Sequence, residues 1–494
     1  MLLIIDNLRA LTESLMYYIC TIFSGEMEEE RYGFVHDSEV EEVILRFEKM
    51  RKNKETCYFD VIEFETIIDY YLEGNNPVHA FEATSLACEL HPNSVPILIR
   101  KARVLLEKGR ATEALTISKK LENIEPGNCD IYLCKATALA MIGDISGARR
   151  VFDLALETDS EDQETILYSI TSVLQNLNFH EEMIPYLHRL ADLEPDFQAH
   201  LYDLAYAYDK KGDLKTSIRY YTMYLEEDPY SDSAWYNLGI IYNKTGDYGK
   251  AIEAYDFALA LNPENTFALF NKANILSNLE KYSEAMDVYR AFVEEEPDSL
   301  EGLTYLAECY DKTGDEVMAR KYYTEAIDIT PDFPDPWYGL GLLSLTRNRP
   351  AESISPLKKA IELDHENPDY WFSLGKAHIM LGNIKEAVRC WVEAIMLDGY
   401  YDEAWIEIGI VVMMTGTYKA AIRILRNAAK VSGDLPGTYF LLASAYLHAG
   451  NLTEAARNLI KAVRLDNEVL EEYAVLLPEE KLTNAMRRLF RKTN

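Results

Sequence analysis

The stretch DSAWYNLGIIYNKTGDYGKAIEAYDFALALNPEN, Asp232 to Asn265, reads as two amphipathic helices joined at Thr245-Gly246-Asp247. Gly246 suits the left-handed conformation that closes the first helix, and Pro263 ends the second. The unit recurs. One period of 34 residues upstream, Trp235-Tyr236-Asn237-Leu238-Gly239 falls on Leu201-Tyr202-Asp203-Leu204-Ala205, and three periods downstream Trp337-Tyr338-Gly339-Leu340-Gly341 matches it more closely. A helical hairpin of this size cannot bury its apolar face alone, so its repetition predicts a stack of hairpins, an α-solenoid.

Aligned on this unit, twelve repeats start at Val61, Val95, Cys129, Glu164, Gln198, Asp232, Thr266, Leu300, Pro334, Pro368, Asp402 and Pro436. The period is broken by one inserted residue, in the acidic connection from Asp159 to Gln163. Position 8 of the repeat is small, as at Gly239, Ala273, Ala307, Gly341, Gly375 and Gly409, and so is position 20, as at Ala251, Ala285 and Ala319. Small residues let two helices approach closely, and Trp235, Trp337, Trp371 and Trp405 fill the space beside them. Position 15 carries Gly109, Gly143, Gly212, Gly246, Gly314, Gly382, Gly416 and Gly450, with Asn75, Asn178 and Asn348; Glu280 alone departs. Eleven of twelve turns thus hold a residue suited to positive φ. The fold class that follows is all-α.

With bulky residues at positions 4, 7, 11 and 24, small ones at 8, 20 and 27 and proline at 32, residues 61–469 resemble the tetratricopeptide-repeat family. The resemblance implies a right-handed superhelix of antiparallel helix pairs whose first helices line a ligand groove. Leu121, Leu190, Tyr224 and Phe292 are large at position 27 and are expected to splay their neighbours. Residues 1–60 read as an N-terminal helical extension, with a helix from Ser38 to Lys52 covering the open end of the first repeat; a second reading starts the protein at Met27 and makes residues 1–26 a start-site artefact. Residues 470–494 read as a C-terminal capping helical segment ending in Arg487, Arg488, Arg491 and Lys492.

Composition narrows the partners. A chain of 494 residues exceeds one compact core, and 48% hydrophobic with 27% charged residues belongs to folded soluble proteins. The formal charge of −33 repels a phosphate backbone, which argues against nucleic acid and anionic membrane and favours a basic partner. Seven cysteines without paired spacing suit a reducing, cytoplasmic setting. The apolar run Leu15 to Phe23 is too short to span a bilayer and follows no positive segment.

Chemistry is hard to find in this sequence. There is no HExxH, GxSxG or P-loop pattern; Gly339-Leu340-Gly341 lies inside a helix with no preceding strand, so its glycines read as hairpin packing. The nine histidines are scattered. The expectation is no enzyme, no metal and no cofactor.

Positions 2, 5, 9 and 12 share one face of each first helix. Position 5 supplies an aromatic track that includes Tyr202, Tyr236, Phe270, Tyr338 and Phe372; position 6 supplies Asn237 and Asn271, able to hydrogen-bond a peptide backbone. Position 2 supplies Glu301, Asp335, Asp369 and Glu403 in consecutive repeats, with Glu308 and Asp311 near the same face. In the first turn such acids stabilise the helix dipole by about 0.3–1 kcal/mol each. They also form a ladder: helices roughly 10 Å apart match about three residues of extended peptide. Solvated ion pairs contribute about 0.2–1 kcal/mol each, so the ladder orients a basic segment and aromatic anchors must supply the rest. Chaperone-associated relatives hold a terminal carboxylate with Lys at position 5, which no repeat here has; Arg100 and Arg103 are isolated. The expected function is a protein-interaction scaffold or adaptor for a protein or peptide, preferably basic. The alternatives are a structural protein that self-associates through its basic tail and a regulatory subunit of an enzyme complex.

Overall fold

In the computed structural model, which describes residues 38–53, 57–158, 162–193, 199–431 and 433–466, helix follows helix with no strand among the described residues. After a leading helix, α1 (Ser38–Asn53), the others form pairs. First helices of the pairs begin at Val61, Val95, Cys129, Gln163, Ala199, Asp232, Thr266, Leu300, Pro334, Pro368, Asp402 and Pro436. Ten of these are the residues from which the sequence period counts, and Gln163 and Ala199 lie one residue away. The chain divides into two compact units, Met1–Glu227 and Asp228–Asn494. The capping segment expected at 470–494, its basic tail and the start-site question at 1–26 lie outside the described residues.

In the first unit, α1 lays Ile44 and Phe47 against Phe59, which precedes the next helix, and against Phe64, Ile67 and Ile68 on the apolar face of α2 (Val61–Glu73). Asp60 and Glu63 form a capping box at the start of α2, and Glu63 also takes an ion pair from Arg46 at 2.5 Å. The first hairpin therefore has a covered face from its first turn.

The turn between paired helices shows how strongly packing dictates backbone. All twelve residues at position 15 take positive φ, from 50° at Asn75 to 95° at Gly314, and Glu280 is among them at 60°. Its turn makes the same two bonds as its glycine counterpart: the N–H of Glu280 donates to Ser277 and that of Lys281 to Leu276, as Gly246 does to Asn243 and Asp247 to Tyr242. Hairpin geometry fixes the conformation, and the long side chain at Glu280 tolerates it at a cost of about 1 kcal/mol. Replacing Glu280 with Asn is expected to stabilise the chain by about that amount, read as a raised denaturation midpoint in urea.

Small residues at position 8 have a direct structural reason. A Cβ on Gly239 would lie 2.6 Å from Cε1 of Tyr255, which sits at position 24 of the same hairpin. Phe292 corrects the expectation that a large residue at position 27 must splay its neighbours: its ring occupies the space that a side chain on Gly302 would take, with Cε1 2.5 Å from where that Cβ would be. The tryptophans do more than fill space. Nε1 of Trp235, Trp337, Trp371 and Trp405 donates to the carbonyl oxygen six residues earlier, at Pro229, Pro331, His365 and Gly399, over 3.0–3.1 Å, so each one latches the connection that precedes its helix.

Among the described residues the cysteines form no disulfide; burial pushes the thiols of Cys134, Cys309 and Cys390 up to about 11, which keeps them protonated. Among the described residues no helix is long and apolar enough to cross a membrane.

Candidate functional site

Consecutive first helices in the second unit are α12 (Asp232–Thr245), α14 (Thr266–Asn278), α16 (Leu300–Thr313), α18 (Pro334–Thr346), α20 (Pro368–Met380) and α22 (Asp402–Met414). Polar side chains tie α14 to α12, and α20 to α18 and to the connection before α22. Nδ2 of Asn271 donates to the Tyr236 hydroxyl at 3.3 Å, the Tyr338 and Ser373 hydroxyls lie 3.2 Å apart, and the Tyr370 hydroxyl donates to Asp335 at 2.7 Å. The Tyr401 hydroxyl, just before α22, donates to Asp369 at 2.6 Å. Two of these bonds join position 5 of one repeat to position 6 of the next, and the other two join a position-2 acid to a tyrosine at or just before the start of the next repeat.

The aromatic residues on this surface are mainly packing. Tyr236 is half-buried with its ring 6.0 Å from Tyr255; Phe270 is half-buried between Phe292 and Tyr305; Tyr338 lies 4.7 Å from Tyr370. Phe372 is only 8% exposed, between Trp391 and Tyr401, so it offers no open ring to a partner and the track is not a continuous stripe. The physical reason is that position 5 also meets the second helix of its own hairpin. Tyr202, in the first unit, is likewise half-buried against Tyr221 and Tyr224. Asn237 and Asn271 are half-buried.

The acids are different. Glu301, Glu308, Asp335, Asp369 and Glu403 are all exposed. Asp335 and Asp369 each accept one phenol and keep an oxygen open, whereas Glu301, Glu308 and Glu403 make no hydrogen bond or ion pair among the described residues. Water reaches Glu308, yet protein on either side limits its hydration. This partial burial, then the charge of Asp335, pushes its carboxyl up to about 7, and Lys312 four residues on opposes the shift without pairing with it. Asp311 is compensated by Arg347 at 3.1 Å.

Three local readings of the sequence change. Arg100 is not isolated: its Nε and Nη2 grip the Asp69 carboxylate at 2.6–3.0 Å with Glu65 3.5 Å away, and Arg103 pairs with Asp130. The charges of Arg100, Asp69, Arg103 and Asp130 are therefore satisfied internally. Gly339 does not serve hairpin packing. Gly341 faces Leu357 of its own hairpin, but Gly339 receives the ring of Tyr323 from the preceding repeat. Finally, the phenols of Tyr370 and Tyr401 were not foreseen as part of this face; the signal is a tyrosine one period after a position-2 acid, within three residues either way.

Among the described residues no three His, Cys, Asp or Glu side chains group to hold a metal ion. What the surface can do chemically is attract and orient cations, with three carboxylates that make no ion pair among the described residues and phenols that hold two of their neighbours in place.

The tetratricopeptide repeat profile matches residues 174–232, 233–265, 270–334, 368–401 and 436–469. No curated protein sequence matches the chain significantly. Similar solved structures include residues 41 to the end of MamA from Desulfovibrio magneticus RS-1, at 20% identity over 34% of this chain and 96% of that one, with a TM-score of 0.33. Yeast Tom70 is similar at 14% identity over 84% of this chain and 94% of that one, with a TM-score of 0.43. YrrB, described as a TPR protein with an unusual peptide-binding site, is similar at 18% identity over 37% of this chain and 95% of its own, with a TM-score of 0.31.

Proposed function

We propose, taking as premise that this chain belongs to the tetratricopeptide-repeat family, that it is a non-catalytic cytoplasmic scaffold holding a basic segment of a partner protein along the first helices from Leu300 to Met414. One observation carries the reading. Five exposed carboxylates, Glu301, Glu308, Asp335, Asp369 and Glu403, lie on four successive first helices, and three of them make no ion pair among the described residues. Uncompensated charge of one sign is costly to hold together and is relieved by a cationic ligand. The charge of −33 adds long-range attraction that speeds encounter with such a partner. Asn237 and Asn271, with the exposed edges of Tyr236, Phe270 and Tyr338, extend the same face and would supply backbone hydrogen bonds and apolar contact.

The test is capture from native lysate at low and high salt, using the intact chain and a variant with Glu301, Asp335, Asp369 and Glu403 all changed to Gln. At about 0.2–1 kcal/mol per pair, the four charges together account for about fourfold to several hundredfold in affinity. The wild type is expected to retain proteins rich in Lys and Arg, losing them as salt rises, and the variant to lose them already at low salt. The same captured proteins from both would overturn the assignment.

A further inference from the structure

We propose that the turn edge of the eighth and ninth hairpins is an ionic clasp, a contact between repeats that is closed at low ionic strength and opens as salt rises. It joins α16 and α17 (Glu316–Ile329) to α18 and α19 (Pro350–Leu363).

The centre of the clasp is Glu316, the first residue of α17, whose carboxylate meets three guanidinium groups. Arg349, in the turn between α18 and α19, donates to it through Nη2; Nε of Arg347 lies 3.8 Å from it and Nη2 of Arg320 3.5 Å. Two further acids complete the network. Asp311 pairs with Arg347 at 3.1 Å, and Glu352 lies 3.7 Å from Arg349 and 4.0 Å from Arg320. Arginines and carboxylates therefore balance, and the contacts of Arg347 with Asp311, of Arg349 with Glu316 and of Arg320 with Glu352 all cross from one hairpin to the next.

The sequence marks this junction as different from its neighbours. Glu316 and Arg320 stand at repeat positions 17 and 21, one turn apart on the second helix. In the rest of the second unit those positions hold apolar or aromatic side chains, as Tyr282 with Met286 and Ile384 with Val388 do, and Glu316 is the one carboxylate at position 17 in all twelve repeats. Where Met286 and Val388 pack against apolar clusters, Arg320 reaches charges.

That exchange decides what the junction responds to. Apolar contact rests on the exclusion of water and offers no charge for salt to screen. Attraction between charges near water does, because the screening length falls from about 10 Å at 0.1 M salt to about 3 Å at 1 M. Solvent reaches the clasp: the side chains of Glu316, Arg349 and Glu352 are 29%, 36% and 55% exposed. Its closed form is also poised rather than locked. Nε of Arg349 is buried with no hydrogen-bond partner among the described residues, a costly state for a charged donor, and opening returns it to water. The bond from Arg349 holds the Glu316 carboxyl below its ordinary range, so it stays charged near neutral pH and salt is the variable that loosens it.

The clasp ties together helices that carry exposed acids, Glu301 and Glu308 on α16 and Asp335 on α18. It sets the separation of those carboxylates whether or not a partner binds them.

Hydrogen exchange of the full chain, followed by mass spectrometry from about 0.1 M to about 1 M sodium chloride, tests this. The amides of Gly314 and Arg349, which donate to Asp311 and Ser344, report on the two turns that the clasp joins. Those of Gly382 and Gly416, which donate to Ile379 and Met413, are the controls, since the tenth and eleventh hairpins meet through Trp391 packed among Ala404, Ile408 and Val411. Protection at 311–316 and 346–352 is expected to fall about three- to tenfold over this range, and the control turns to change less than about twofold. Glu316→Gln should exchange at low salt about as fast as the wild type does at high salt. Glu316→Tyr combined with Arg320→Ile, the pair found at Tyr248 and Ile252, should lose the salt response. Wild-type protection that ignores salt overturns the clasp, and so does an equal fall at the control turns. A Glu316→Gln chain with the full wild-type response overturns Glu316 as its centre.

Discussion

Trp391→Ala is expected to destabilise the repeats around it by about 3–5 kcal/mol. The indole has no exposed surface, its Nε1 donates to the carbonyl of Phe372 at 3.2 Å, and its ring packs among Ala387, Ala394, Ala404, Ile408 and Val411. Those neighbours belong to two successive hairpins. Truncation therefore removes both an internal hairpin contact and the contact to the next unit, the two terms that set stability in a stacked array. Because such arrays can lose part of their structure independently, a single melting temperature is a blunt probe. Hydrogen exchange across residues 368–414 of the full chain is the sharper one. Protection there should collapse while residues 61–193 keep theirs; unchanged exchange in 368–414 would show that the cavity is absorbed elsewhere.

Gly375→Ala should cost about 1–3 kcal/mol although it adds one methyl group to a helix, where alanine is otherwise favoured. The methyl would collide with Nε1 and Cδ1 of Trp391. Neither side has room to yield, because the indole is enclosed and Gly375 is fixed by its helix. The two substitutions must then couple. In the Trp391→Ala background the methyl enters the space the indole has left, and Gly375→Ala should become neutral or stabilising, an interaction of about 1–3 kcal/mol in a double-mutant cycle. Additive costs would mean that the collision is not what makes glycine necessary there.

Much of the fold was legible because its determinants are periodic. Asp232 to Asn265 contains every packing rule of the array, and Gly246, Ala251, Tyr255 and Ala258 can be read from spacing alone. The face was legible only in part. Helical spacing put Glu301, Asp335, Asp369 and Glu403 together, since that relation repeats with the period. What it could not give was contact across the period: that Tyr370 would hold Asp335, that Arg100 would find Asp69, or that Tyr323 would rise beneath Gly339. Those depend on which residue of one hairpin meets which of the next, a lateral register that no property of a single helix specifies. Phe372 illustrates the same limit, because its position faces both the surface and the second helix, and the rings of Trp391 and Tyr401 together cover it. Glu280 shows the reverse case, a residue whose own preference is overridden by the shape of its hairpin.

That left-handed turn residue also governs how the chain can change length. A deletion of one residue inside a hairpin would bring a neighbour such as Thr245 or Asp247 onto the backbone that Gly246 now occupies, and would rotate the following helix by about 100° out of its packing face. Insertions and deletions are thus tolerated between hairpins, where the sequence has its single extra residue between Asp159 and Gln163, or as whole units. Length in this protein is quantised: duplication or loss of an entire repeat leaves every remaining turn in phase, and a stepwise change does not.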